Sequence, residues 1–389
     1  MFKRNVLAVS LTLAGLCAAQ AAMADVNGGG ATLPQPLYQT SGVLTAGFAP
    51  YIGVGSGAGK SAFLTNDYTK FVPGDTSGKK VHWAGSDSKL SATELSTYVS
   101  AHGAAWGPLI QVPSVATSVA IPFNKTGTGN VDLSVNQLCG VFSGRLKTWN
   151  DITGSGSTDP IVVVYRAESS GTTELFTRFL NAKCAETGTF AITTNFASSY
   201  SGGLPAGALS ATGSQAVMNL MNAGQGRITY MSPDYAATTL AGLDDATKVA
   251  RVAGVSPAPA NVSTAIAAVA VPAVANRSNP NAWVPVFAAT TNPSDPSVVA
   301  YPTTGYPILG FTNVIFSQCY ADATQTTQVR NFFSRHYGSL TNNDSAITAN
   351  RFVPLPSSWK TAIRESFVTT SNGLSIGNTN TCNAIGRPL

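Results

Sequence analysis

The chain has 389 residues, 44% of them hydrophobic and only 11% charged, with 23 Lys and Arg against 18 Asp and Glu. Such a length suits roughly two domains with a large buried core. No Lys/Arg cluster occurs, which argues against a nucleic-acid partner, while the mild basic excess suits a small anion without requiring one.

The N-terminus reads as an export signal over residues 1–24. Lys3 and Arg4 form a short basic region, residues 6–19 are apolar, and Ala22-Met23-Ala24 offers small residues before a cut at Asp25. Cys17 follows Leu16, so no lipoprotein box is read. The rival is an uncleaved N-terminal anchor, against which the apolar run is short for a membrane span. Removal of the signal leaves 389 − 24 = 365 residues and a charge of 21 − 18 = +3. The Ala/Val run over 264–275 is too short to span and contains Pro272, so the mature chain is expected to be soluble.

Strand-like runs at 51–55, 81–84, 117–122, 161–165, 227–231 and 307–311 alternate with helix-like runs at 36–46, 91–101, 134–142, 172–181, 215–222 and 327–337. The alternation predicts an α/β protein with mostly parallel sheets. The β-rich stretch 112–123, bounded by prolines, reads as an extended crossover between lobes. Residues 256–302 read as a loop-rich excursion leading back to the first lobe, with a flexible linker as the alternative. The apolar run 284–288 inside it argues for packed structure.

Four loops follow strand-like runs and present backbone N–H groups or small hydroxyls. In Gly28-Gly29-Gly30-Ala31-Thr32-Leu33-Pro34, the glycines allow a tight turn and Pro34 suits a helix start, so the Thr32 and Leu33 N–H groups face a place that favours an anion. In Gly53-Val54-Gly55-Ser56-Gly57-Ala58-Gly59, glycines permit close approach and Ser56 adds a hydroxyl. It is no P-loop, because the first required glycine is Val54. A plain Gly-rich turn is the bland reading. In Ala84-Gly85-Ser86-Asp87-Ser88, Asp87 is either a helix cap or a ligand. The fourth is the sharpest. The run Val162-Val163-Val164-Tyr165-Arg166 leads through Glu168 to a Ser170-Gly171-Thr172 turn that opens a helix. Arginine can fork two donors onto a tetrahedral anion, and the turn adds hydroxyls and orphan helix N–H groups. A capped helix with a structural Arg–Glu pair is the alternative.

Together these donors suit an oxyanion, and Asp87 narrows its identity. An ionised carboxylate only accepts hydrogen bonds, so it needs a ligand O–H. Phosphate carries one at neutral pH; sulfate would face the acid with no proton between, an unfavourable contact in a dry site.

Four cysteines remain after the signal, Cys139, Cys184, Cys319 and Cys382. An even number in an exported chain suggests two disulfides, in any of three pairings. Pairing of sequence neighbours would keep each bridge inside one lobe. A metal site is the rival, but there is no CxxC and the three histidines, His82, His102 and His336, lie far from any cysteine in sequence.

The chain resembles the periplasmic phosphate-binding proteins of ABC transporters. Its expected mature start, DVNGGGATLP, is similar to that of the DING branch, with Val26 in place of isoleucine. The resemblance extends through GFAPYIGVGSG, HWAGSDSKL, YRAESSGTTELF and SIGNTNTCN. It implies a type II periplasmic-binding-protein fold, with two lobes joined by two crossover strands and a ligand cleft between. The expected lobes are 25–115 plus 298–389, and 116–297. It also implies phosphate ligands at Thr32, Leu33, Ser56, Asp87, Arg166, Ser170, Gly171 and Thr172. Glu168 would pair with the arginine, where transporter relatives commonly have Asp, and the disulfides would be Cys139–Cys184 and Cys319–Cys382. No cofactor, metal or catalytic residue is expected. The implied protein is a monomer in the periplasm or outside the cell, with inorganic phosphate as ligand and a membrane ABC transporter as the partner. The alternative is a secreted phosphatase, since some DING-like proteins carry that activity. Here Gly-x-Ser-x-Gly is missing around Ser56 and Ser170, and no His-rich or Asp-rich metal cluster is visible. A third reading is an interaction protein for which phosphate is only a structural ligand.

Overall fold

The computed structural model describes residues 26–388; the expected signal lies outside them. Its strands run β1 (Gly28–Gly30), β2 (Ile52–Gly53), β3 (Trp83–Ser86), β4 (Leu109–Ser118), β5 (Ile121–Asn124), β6 (Asp132–Leu133), β7 (Val162–Arg166), β8 (Leu209–Ala211), β9 (Arg227–Thr229), β10 (Val249–Val252), β11 (Val286–Ala288), β12 (Val298–Ala300) and β13 (Leu309–Ser317). They form a five-stranded sheet in the order β2-β1-β3-β13-β4 and a six-stranded sheet in the order β6-β10-β5-β9-β7-β8. The strands β11 and β12 make a separate parallel ribbon. The apolar run at 284–288 is thus packed structure, with Val284 and Phe287 buried.

The sheets are less parallel than the alternation predicts. The pairs β1·β2, β1·β3, β6·β10, β7·β8 and β7·β9 are parallel. The pairs β3·β13, β4·β13, β5·β9 and β5·β10 are antiparallel. Every antiparallel pair involves β5, which opens the second sheet, or β13, which runs between β3 and β4. The chain passes from the first sheet to the second at 118–121, where β4 ends and β5 begins. Here the β4·β13 ladder is prolonged by the Val119 N–H donating to Ile308 O (2.8 Å), and the Tyr306 hydroxyl donates to Val119 O (2.9 Å). Ala120 and Met231 exchange backbone hydrogen bonds at 2.7 and 2.8 Å on the other side. The join is therefore hydrogen-bonded on both edges, to Ile308 and Tyr306 on one side and to Met231 on the other.

The chain leaves the second sheet after β10. The helix Ala260–Ala267 packs against β4, the Trp359 indole N–H donates to Val269 O (2.9 Å), and the Trp283 ring meets those of Trp359 and Phe367. These are contacts with the first sheet and its C-terminal helix Ser357–Phe367. We propose from these contacts a return crossover near 253–258, with the excursion that follows packed on the side of the first sheet.

Two further expectations change. The glycines at 28–30 are not a turn but strand β1 itself, because its neighbours stand too close for side chains. A Cβ on Gly28 would lie 2.0 Å from the Trp83 indole, and one on Gly30, whose φ is +136°, would lie 2.1 Å from Gly85 O. Nor is 53–59 all loop: a helix starts at Ser56 and runs to Thr65, and Gly57 and Gly59 lie inside it.

Candidate functional site

Each expected loop does follow a strand end or open a helix, and the ends converge on the space between the sheets. From the first sheet, β1 delivers Thr32 and Leu33, with the Ala31 N–H donating to Gly85 O (2.8 Å). The helix Ser56–Thr65 delivers Ser56 at its first position, and β3 leads directly into Asp87. From the second sheet, β7 ends on Arg166. Ser170 caps the helix Gly171–Lys183, its hydroxyl accepting from Thr173 N–H (3.2 Å), as a serine at a helix start does.

Contacts across the gap show that the two sets meet. The Thr172 hydroxyl donates to Asp87 Oδ2 (3.0 Å), and Gly57 N–H donates to Ser169 O (3.3 Å). A Cβ on Gly171 would stand 2.4 Å from Ser56 Oγ and 2.7 Å from Asp87 Cβ. Within the first set, Asp87 N–H donates to Ser56 Oγ (3.1 Å). Thr32, Ser56, Asp87, Arg166, Ser170 and Thr172 are all buried. The Leu33 side chain belongs to the hydrophobic core, so only its backbone faces outward chemistry. Among the described residues, the N–H groups of Thr32, Leu33, Ser56, Gly171 and Thr172 have no acceptor in the protein. Five orphan donors at neighbouring strand ends and helix starts are an arrangement that favours an anion.

Arg166 is held rather than free. Its Nε donates to Glu168 Oε1 (2.7 Å) and its Nη2 to the same oxygen. Its Nη1 donates to Ser214 Oγ (3.3 Å). Of the five N–H groups on a guanidinium, one remains on each terminal nitrogen, the pair that can fork onto an oxyanion. Glu168 Oε1 also accepts from Gly213 N–H (3.0 Å). The longer glutamate side chain thus still closes the Arg–acid pair.

Asp87 is the exception among donors. It is the acid a helix cap would use, yet the nearby helix Ala92–Tyr98 is capped by Ser91. Its Oδ1 is buried with no hydrogen-bond partner. Burial pushes its pKa up to about 6, while the hydroxyls of Thr312 and Thr172 and the charge of Arg166 pull it back. A carboxylate oxygen left unpartnered in a dry site is an acceptor waiting for a donor.

Ser214, Gly213, Tyr230 and Thr312 escaped the sequence reading. The Tyr230 hydroxyl accepts from Arg166 N–H (3.3 Å), and Thr312 comes from β13. One signal was available for Ser214. Gly213 (φ +84°) and Ser214 open a helix as Gly55 (φ +95°) and Ser56 do.

The disulfides are Cys139–Cys184 and Cys319–Cys382, the pairing the resemblance implied. Among the described residues no group of three or more His, Cys, Asp or Glu is placed to hold a metal, and no helix is long and apolar enough to cross a membrane.

A family profile described as a PBP superfamily domain matches residues 19–334. The chain is 73% identical to alkaline phosphatase L of Pseudomonas aeruginosa strain UCBPP-PA14, over all of both chains. It is 67% identical to a phosphate-binding protein from an unknown prokaryotic organism, over 94% of this chain and all of that one. Among solved structures, it resembles a high-affinity periplasmic phosphate-binding protein, PfluDING, bound with phosphate at pH 8.5. The TM-score is 0.91 at 74% identity, over 94% of this chain and all of that one. With its two sheets, its crossover and its donor-lined cleft, the chain belongs to the PBP superfamily and, within it, to the DING proteins.

Proposed function

We propose that this chain is an exported binding protein that holds inorganic phosphate between its lobes and selects it over sulfate. The ligands would be the hydroxyls of Thr32, Ser56, Ser170 and Thr172, the N–H groups of Thr32, Leu33, Ser56, Gly171 and Thr172, the free fork of Arg166, and Asp87. The observation that carries the reading is the unpartnered, buried Asp87 Oδ1 among donors. A fully deprotonated anion would leave that oxygen unsatisfied and repelled, whereas hydrogen phosphate brings the missing proton. The bound state of the PfluDING relative supports the ligand class. The two disulfides suit an extracytoplasmic compartment. Delivery of phosphate to a membrane ABC transporter is the role we assign, with the periplasm as its place.

Calorimetry tests the reading. Wild type is expected to bind phosphate tightly and sulfate weakly, and Asp87→Asn, whose amide can donate to sulfate, is expected to narrow that gap. Equal affinities of the wild type for the two anions would sink it.

The name of the alkaline phosphatase relative keeps hydrolysis in view. Ester turnover would need an activated nucleophile. Ser56 and Ser170 instead accept from backbone N–H groups, and the histidines are engaged elsewhere. His82 bonds to Asn27 and Gln325, His336 to Ser114 and Asn343, and His102 stacks on Trp106. Pure protein is expected to leave p-nitrophenyl phosphate intact; turnover lost in Arg166→Ala would establish the phosphatase instead.

A further inference from the structure

Ser214 lies outside the ligand set proposed above, yet it touches that set from both sides of the cleft. Its hydroxyl is 2.8 Å from Thr32 Oγ1, which the first sheet supplies. It is also 3.3 Å from Arg166 Nη1, which the second sheet supplies. The residue is buried and opens the helix Ser214–Asn222. Gly213, just before it, is tied through its N–H to Glu168 Oε1, the same oxygen that holds Arg166. One glutamate oxygen therefore fixes both the guanidinium and the loop that presents Ser214.

We propose that Ser214 is a positioning residue: it sets the direction of the Thr32 hydroxyl and couples it to Arg166 when the lobes close. The inference rests on the phosphate-binding reading. Proton counting gives the direction. A guanidinium has no acceptor, so Ser214 Oγ must accept from Arg166 Nη1. The serine then has one proton to place, and Thr32 Oγ1 is the neighbour within reach. Thr32 accepts it and keeps its own proton for the anion. Alone, a threonine hydroxyl could turn either way and either donate to a ligand or accept from it. The relay Arg166 → Ser214 → Thr32 → anion removes that freedom, and with it the entropy of orienting the hydroxyl at the moment of binding. Because Thr32 and Ser214 belong to different lobes, the contact belongs to the closed form. Its loss should therefore speed release more than it slows capture.

The test is inorganic phosphate binding, by calorimetry for affinity and stopped flow for rates, on wild type, Ser214→Ala, Ser214→Cys, Thr32→Val and the Thr32→Val/Ser214→Ala pair. Ser214→Ala is expected to weaken binding about tenfold, mostly in the dissociation rate, with the melting temperature of the phosphate-free protein unchanged. Ser214→Cys fills the same space with a weak donor and should show the same loss, which carries the test if the alanine variant folds poorly. The double variant should bind no more weakly than Thr32→Val alone, since the relay acts only through Thr32. Wild-type affinity in both Ser214 variants, or a double variant showing the sum of the single losses, would overturn the proposal. Failure of the wild type to bind phosphate at all would instead overturn the function it rests on.

Discussion

Arg166 shows how a single residue can be readable in sequence while its working geometry is not. A cation at the end of a strand, four residues before a Ser-Gly-Thr helix start, is legible as an anion ligand. The pair with Glu168, two residues on, is legible too, but the donor spent on Ser214 is not, because Ser214 is 48 residues away in sequence. That bookkeeping predicts that Arg166→Lys fails. A lysine ammonium is a point charge that cannot serve Glu168, Ser214 and the anion together in one plane. Phosphate affinity should fall by about a hundredfold, read by calorimetry, and a loss under threefold would contradict the geometry. A second residue-scale prediction concerns Asp234, which lies outside the proposed ligand set. Burial raises its pKa to about 8, opposed by Ser232 and the charge of Arg351, and both its Oδ2 and the Ser232 hydroxyl are buried without partners. The folded state therefore holds this proton more tightly than the unfolded chain, whose value is near 3.8. Its contribution to stability is full below about pH 4 and is lost as pH rises through about 8. Asp234→Asn removes the titration and faces an amide donor to Ser232. It should stabilise the protein by on the order of 5 kcal/mol at pH 9, with the gain fading toward pH 4. A pH-independent gain in thermal melts would show that packing, not ionisation, is responsible.

At the scale of elements, the alternation of strands and helices was legible, but the long central strands were only half so. The expected strand at 117–122 caught the end of β4 and the start of β5. The β-rich stretch 112–123 covered most of the remainder, but not the start of β4 at Leu109, and Gln111, Pro113 and Ser114 look unlike a buried strand. They are tolerated because distant partners satisfy them. Gln111 Oε1 accepts from Leu90 N–H (2.8 Å), and Ser114 bonds to Tyr38 and His336 (both 2.9 Å). Such partners lie across the fold and leave no local pattern. The glycines were misread for a related reason. Sequence shows that a backbone is free to bend, not that another backbone lies against it. The latter dominates at the site, where Gly171 packs on Ser56 and Asp87 across the cleft. Gly171→Ala would place a methyl group 2.4 Å from Ser56 Oγ and hold the Gly171–Lys183 helix away from the Ser56–Thr65 helix. Overpacking of this kind should lower phosphate affinity about ten- to hundredfold while leaving the melting temperature of the phosphate-free protein near wild type. Small-angle scattering should then show no compaction on adding phosphate, whereas wild type should compact. Compaction in the variant equal to wild type would mean that the lobes close without this contact.

Over the whole molecule, the two disulfides staple different parts of one architecture. Cys139–Cys184 ties the helix Val135–Ser143 to the end of the helix that begins with Gly171. Cys319–Cys382 ties the residue just after β13 to the C-terminal tail. That tail is further anchored by Arg387, buried with its guanidinium 3.8 Å from the Phe63 ring and its Nη1 donating to Val81 O (2.8 Å). The bridges close loops of 45 and 63 residues. Loop-closure entropy makes them nearly equal, about 4 kcal/mol each. Neither bridge touches the proposed ligands, because one grips the far end of the site helix and the other the tail of lobe I. Stability and binding should therefore separate. The Cys139→Ser/Cys184→Ser and Cys319→Ser/Cys382→Ser variants should each melt roughly 5–10 °C lower and bind phosphate with wild-type affinity at 25 °C. A selective loss of affinity in the first pair would show that the bridge sets the pitch of the Gly171 helix against the cleft as well as its stability. The site would then be tensioned from both ends of that helix, by Ser170 at its start and by Cys184 at its close.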